Sequence, residues 1–277
     1  MKTINLTLLI VVVFCISWLG VLPSLLLAHG IEISPGFEKF EILMTLGPLI
    51  GALLFIGKIH GKAGIRNFFK RLLWFRAKPL VIAIIILLPI LISLLSSVIG
   101  LSLSKTAWSD AFNPTSILTN GLMIFLMYLI INTEELVWRG IVFDRLLKKF
   151  NYIQACIILI PIWWLFHLPL FLYPGGHQAG YGLIEFTCIV FALTFILGWI
   201  YIKTSKSLFY VHIHHQLFNG FGQAFPIFPI FINGDKMPVW TFCVLLLITA
   251  GILIVNYQKQ QPPFEISEDQ APQEEGY

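Results

Sequence analysis

The chain has 277 residues, of which 57% are hydrophobic and only 12% charged, with a mean hydropathy of +0.85. Such a composition excludes an ordinary soluble domain and places the chain among integral membrane proteins. The net charge of +4 and pI near 8.8 come from Lys and Arg that follow a sidedness pattern, so nucleic acid is not an expected partner.

Taken in chain order, apolar runs long enough to span a bilayer, or nearly so, cover residues 5–28, 41–57, 79–102, 119–138, 152–173, 182–202, 207–225 and 238–257. The expected architecture is therefore all-α, a polytopic membrane bundle of about eight transmembrane helices forming one integral-membrane domain over residues 1–257. The first run lacks a small-x-small cleavage pattern at Leu26-Leu27-Ala28-His29 and is read as a retained helix. With the N-terminus inside, only Lys39, Lys105 and Lys236 of the 18 Lys and Arg fall outside. That asymmetry fits an even number of spans with both termini cytoplasmic, Lys62 and Lys149 inside, and Pro35 and Gly176 outside.

Two segments lie outside the bundle. Residues 65–73 space apolar side chains at i, i+3, i+4, i+7 and i+8 with basic residues between them, which fits either a helix lying on an anionic leaflet or a plain cytoplasmic connector. Residues 258–277 carry three prolines and five acids with few apolar groups, and are expected to form a disordered cytoplasmic tail. The four cysteines, Cys15, Cys156, Cys188 and Cys243, all fall in apolar spans and suggest no disulfide framework.

Polar groups that apolar helices do not need are concentrated in three fragments: Glu134-Glu135-Leu136-Val137-Trp138-Arg139, then His167, then His215-Gln216-Leu217-Phe218-Asn219. A charge near the middle of a bilayer costs roughly 3 kcal/mol or more, so an acidic pair there calls for a structural or chemical reason. Glu135 and Arg139 are spaced i, i+4 and can pair, while Glu134 points about 100° away around the helix and is left for other work. The same spacing also fits two acids that neutralise Arg139 and Arg145 at the interface. Glu134 and His167 are equally distant from the expected turn at Phe150 and Asn151, roughly 24 Å along each helix, which levels them within the membrane. His215 and Asn219, again i, i+4, can donate hydrogen bonds toward one point, as an oxyanion hole or as interhelical polar glue. His212 and His214 crowd the same stretch, so zinc is a further possibility, although no His-Glu-x-x-His is present.

In that order, Glu-Glu-x-x-x-Arg, a histidine in an aromatic context, and His-x-x-x-Asn resemble the CAAX-protease and bacteriocin-processing family of intramembrane endopeptidases, to which the CAAX prenyl endopeptidases belong. The resemblance covers about residues 119–222. It implies that Glu134 is the base that activates a water, that His167 assists it, that His215 and Asn219 stabilise the oxyanion, and that Glu135 and Arg139 are the supporting pair. Where the family often has Phe four residues before the second-motif histidine, this chain has Trp163, with Phe166 adjacent to His167.

The resulting expectation is a multi-pass cell-membrane peptidase of a bacterial plasma membrane that needs no cofactor and hydrolyses a peptide or membrane-protein substrate without a covalent intermediate, with water entering from the cytoplasm. The alternatives are a zinc protease using the same residues, or a non-catalytic relative acting in bacteriocin immunity or as a scaffold. Neither the substrate nor the oligomeric state is written in the sequence.

Overall fold

A computed structural model describes residues 5–34, 36–104, 106, 112–174, 178 and 180–260. Lys2, Pro35, Lys105, Gly176 and the expected tail from residue 261 onward lie outside these residues. Among the described residues the chain is all-helical: α1 (Leu6–Ala28), α2 (Ile42–Lys70), α3 (Pro79–Leu103), α4 (Pro114–Ile131), α5 (134–146), α6 (Tyr152–Phe166), α7 (Leu183–Lys203), α8 (Leu208–Ala224) and α9 (Met237–Lys259). Six segments are long and apolar enough to cross a membrane: those containing α1, α2, α3, α4, α7 and α9. α6 and α8 are shorter, at 15 and 17 residues. Large apolar side chains such as Leu80, Ile130 and Ile252 are turned outward, as a lipid-facing surface requires.

The eight apolar runs map onto the nine helices, with two corrections. The run expected over 119–138 is two helices, because the chain breaks at Asn132 and Thr133. Thr133 leaves the helical ladder and donates through both its N–H (3.1 Å) and its hydroxyl (2.5 Å) to the Thr45 carbonyl of α2, and its hydroxyl accepts from the Leu49 N–H at 3.2 Å. Pro48 leaves α2 with a missing donor near this point, so the two segments exchange hydrogen bonds that neither helix completes alone. The run expected over 152–173 likewise stops at Phe166, and Pro169 falls in a tighter turn over Leu168–Phe171.

α1 is a working member of the bundle. Gly20, Gly47 and Gly51 let α1 and α2 approach so closely that a Cβ at any of them would collide with the other helix. From α1, Trp18 donates its indole N–H to the Phe166 carbonyl and Phe14 packs edge-on against Trp138. Gly61, at φ +60, breaks α2, and the amphipathic stretch that follows buries Phe68 while Phe69 and Leu73 stay exposed. All four cysteines are free.

Candidate active site

α5 carries the acidic motif, and its start is set by the break before it. Asn132 accepts from the Glu134 N–H at 3.1 Å through its side-chain oxygen and donates through Nδ2 to Glu134 Oε1 at 3.2 Å. Glu134 is thus the first residue of a helix and is clasped by the residue two before it. From Trp138 to Phe143 the helix widens into a π-helical turn, and every residue from Asn132 to Phe143 is buried. Widened turns of this kind recur at functional sites.

Helical phase separates the two acids. Glu135 pairs with Arg139 at 2.7 Å, and both side chains are fully buried. Glu134 points instead into a cavity of about 110 Å³ whose wall includes Trp163, His167, His215, Phe218 and Asn219. The sequence leaves Glu134 as the free acid; in the structure it has partners of its own. Its Oε2 accepts from the Trp163 indole N–H at 2.7 Å and lies 3.5 Å from His167 Nε2.

His167 caps the C-terminal end of α6, and its ring is oriented by a 2.9 Å contact from Nδ1 to the Trp163 carbonyl. A carbonyl only accepts, so Nδ1 carries the proton and Nε2, in the neutral ring, is the basic nitrogen turned toward Glu134. Two proton acceptors therefore face each other across a gap that a shared proton or water would bridge.

α8 supplies the opposite wall. His215 Nδ1 lies 2.8 Å from Glu135 Oε1, a distance suited to an ion pair although its angle is not that of a hydrogen bond. The second-acid pair is thus a triad of Glu135, Arg139 and His215, which the i, i+4 spacing on one helix could not reveal. Asn219, half-buried, donates to Gln216 Oε1 at 3.2 Å and also lines the cavity. Trp163 joins both halves: the Arg139 guanidinium sits 4.3 Å over its ring, and the His215 ring meets it edge-on at 5.5 Å.

The remaining histidines of the cluster turn elsewhere. His212 Nε2 contacts the Leu129 carbonyl at 3.0 Å and His214 Nδ1 the Ile85 carbonyl at 2.9 Å, so they tie α8 to α4 and α3. Among the described residues no three His, Cys, Asp or Glu side chains converge as a metal site requires. Sequence reasoning missed Asn132 and saw Trp163 only as a departure from a pattern. Their available signals were Asn-x-Glu at a helix start and an indole donor one helical turn before His167.

The chain is similar to known proteins over the part that holds this site. A family model described as type II CAAX prenyl endopeptidase Rce1-like matches residues 114–221, a segment that contains every site residue named above. A protein named CAAX prenyl protease 2, from the archaeon Methanococcus maripaludis, is 28% identical over 223 residues, covering 76% of this chain and 79% of that protein. With the site inside the matched segment and the likeness running over most of both chains, the chain is similar to the Rce1-like CAAX prenyl endopeptidases and is a membrane endopeptidase.

Proposed function

We propose that the chain hydrolyses a peptide bond inside the membrane with Glu134 as general base. The observation that carries this reading is the pairing of Glu134 Oε2 with His167 Nε2 at 3.5 Å in a buried cavity, with His215 and Asn219 on the same wall system. Glu134 takes a proton from a water whose oxygen attacks the scissile carbonyl carbon. The carbonyl electrons move onto oxygen, where His215 and Asn219 donate hydrogen bonds to the developing negative charge. Collapse of that intermediate breaks the C–N bond. The proton held by Glu134, passed by way of His167, goes to the leaving amine, so the products are an acid and an amine.

His215 donates to an oxyanion only if its cavity-facing nitrogen bears a proton. Its Nδ1 lies 2.8 Å from the Glu135 carboxylate, which ties the buried triad to the oxyanion donor. The cavity wall is otherwise largely apolar, with Leu170, Ile189, Leu193 and Phe228, and suits a substrate segment with apolar side chains. A peptide or membrane protein is the proposed substrate.

The deciding experiment is mass spectrometry of membrane peptides from cells making the intact protein or its Glu134→Gln variant. A product present with the first and missing with the second is the expected outcome. Equal products from both would reject the glutamate-base mechanism.

A further inference from the structure

From Ile42, α2 has travelled roughly 28 Å when Gly61 breaks it, at about 1.5 Å per residue, which is close to the ~30 Å of bilayer hydrocarbon. The break therefore falls where the chain passes from lipid tails to headgroups, and the basic, amphipathic stretch after it belongs to that layer. Phe68 anchors the stretch to α5, where a Cβ on Gly140 would press on its ring. Phe69, Leu73, Trp74 and Phe75 stay exposed.

Between this stretch and α5 lies an open groove of about 460 Å³ that shares no residue with the cavity of Glu134. Its wall carries Arg71 from just after α2, and Arg145 and Lys148 from the end of α5 and the connector that follows. The acid in this wall, Asp144, is already engaged: it accepts from the Tyr201 hydroxyl at 2.7 Å and pairs with Lys206 at 2.8 Å. Arg71 donates to the Gly140 carbonyl at 2.7 Å and to the Tyr201 hydroxyl, two uncharged acceptors, and reaches Asp144 only through that hydroxyl. Arg145 and Lys148 have no side-chain partner among the described residues. Three cations thus surround one groove with no acid of their own, an arrangement that an anion relieves, and guanidinium groups suit phosphate oxygens in particular.

We infer that this groove binds the phosphate of an anionic phospholipid headgroup, with Leu73, Trp74 and Phe75 against the acyl chains. Two observations favour a lipid over a free phosphate: the groove lies at the edge of the hydrocarbon, and exposed apolar side chains follow Arg71 directly in the chain. Gly140 and Ile141 in the same wall belong to the widened turn that carries Arg139, so the occupant braces α2 against the turn that supports the active site.

The test uses the full chain purified in detergent and titrated with phosphatidylglycerol, phosphatidylcholine or inorganic phosphate, with melting temperature and lipid retention in native mass spectrometry as readouts. Phosphatidylglycerol is expected to be retained and to raise the melting temperature saturably, whereas zwitterionic phosphatidylcholine and inorganic phosphate are not. Arg145→Gln combined with Lys148→Gln removes two cations that hold nothing else in the fold, and should weaken phosphatidylglycerol binding about 10- to 100-fold. Ala63→Trp fills the groove without changing its charge and should weaken binding as well. Lys58→Gln combined with Lys78→Gln removes the same charge from outside the groove wall and should leave binding unchanged. No saturable effect of phosphatidylglycerol, or an effect that survives either groove variant, overturns the inference. Equal weakening by the Lys58 and Lys78 pair would mean adsorption to net charge, and an equal shift with inorganic phosphate would mean a site for the free anion; each overturns it too. Melting and lipid retention do not depend on catalysis, so a missing cleavage product would reject the hydrolysis proposed at Glu134 and leave this inference standing, and the reverse holds.

Discussion

The Trp163 indole donates to Glu134 Oε2 at 2.7 Å, so the candidate base is aimed by a residue of the neighbouring helix. The same backbone carbonyl that follows this indole in the chain orients His167, and Trp163 thereby sets both members of the pair. Replacing Trp163 with Phe keeps an aromatic face beneath Arg139 but removes the N–H. A hydrogen bond to a charged group is worth about 1.5–3 kcal/mol. Trp163→Phe is therefore expected to lower the cleavage rate about 10- to 100-fold, by the factor of ten per 1.36 kcal/mol, with KM changed much less. Steady-state kinetics on a cleaved peptide checks this, and a wild-type rate would show that the contact positions nothing.

The Glu135, Arg139 and His215 contacts make a different demand. Arg139 and Glu135 are fully buried, and removing one partner strands the other away from water at a cost of roughly 3–5 kcal/mol. Arg139→Ala and Glu135→Ala should lower the thermal stability and yield of the detergent-purified protein together with its activity. Glu134→Gln keeps the shape and removes only the base, so it should melt near the wild type while abolishing cleavage. Equal melting temperatures for all three variants would mean that the triad has no structural part.

Much of this was legible from the chain because membranes simplify the problem. Apolar runs located the helices, and one principle, the cost of buried charge, separated Glu134, Glu135, Arg139, His167, His215 and Asn219 from the rest. Helical phase also divided the two acids as the structure does. What spacing could not show were relations between helices: the break at Asn132–Thr133 depends on the carbonyl of Thr45, 88 residues away, and His215 meets Glu135 across α5 and α8. Nor could composition show which histidines were spent on backbone carbonyls.

That last point bears on zinc. A zinc protease built from this cluster would need ligands that converge, but His212 and His214 face the Leu129 and Ile85 carbonyls. His212→Gln and His214→Gln are expected to alter helix packing more than chemistry, lowering thermal stability with activity per folded molecule retained. Activity of the wild type should survive a strong chelator. Loss to the chelator with recovery on adding zinc would replace the glutamate-base mechanism with a metal-assisted one.

The position of the α8 wall depends on close packing against α4. A Cβ at Gly220 would lie 2.6 Å from the Gly121 carbonyl and 2.9 Å from Phe125 Cβ, and a Cβ at Gly121 would press on the Phe221 ring. Backbone cannot yield as a flexible side chain does, so Gly220→Ala forces the helices apart at a cost of about 1–3 kcal/mol. Gly220 directly follows Asn219 and lies five residues from His215, and the displacement would carry both away from Glu134. Gly220→Ala is therefore expected to lower thermal stability and to reduce the cleavage rate of the molecules that do fold. Gly222→Ala, where an added Cβ meets nothing closer than 3.9 Å, is the control and should leave both near wild type. If Gly220→Ala lowered stability alone, with full activity per folded molecule, the α4–α8 contact would hold the bundle without setting the distance from Asn219 to the base.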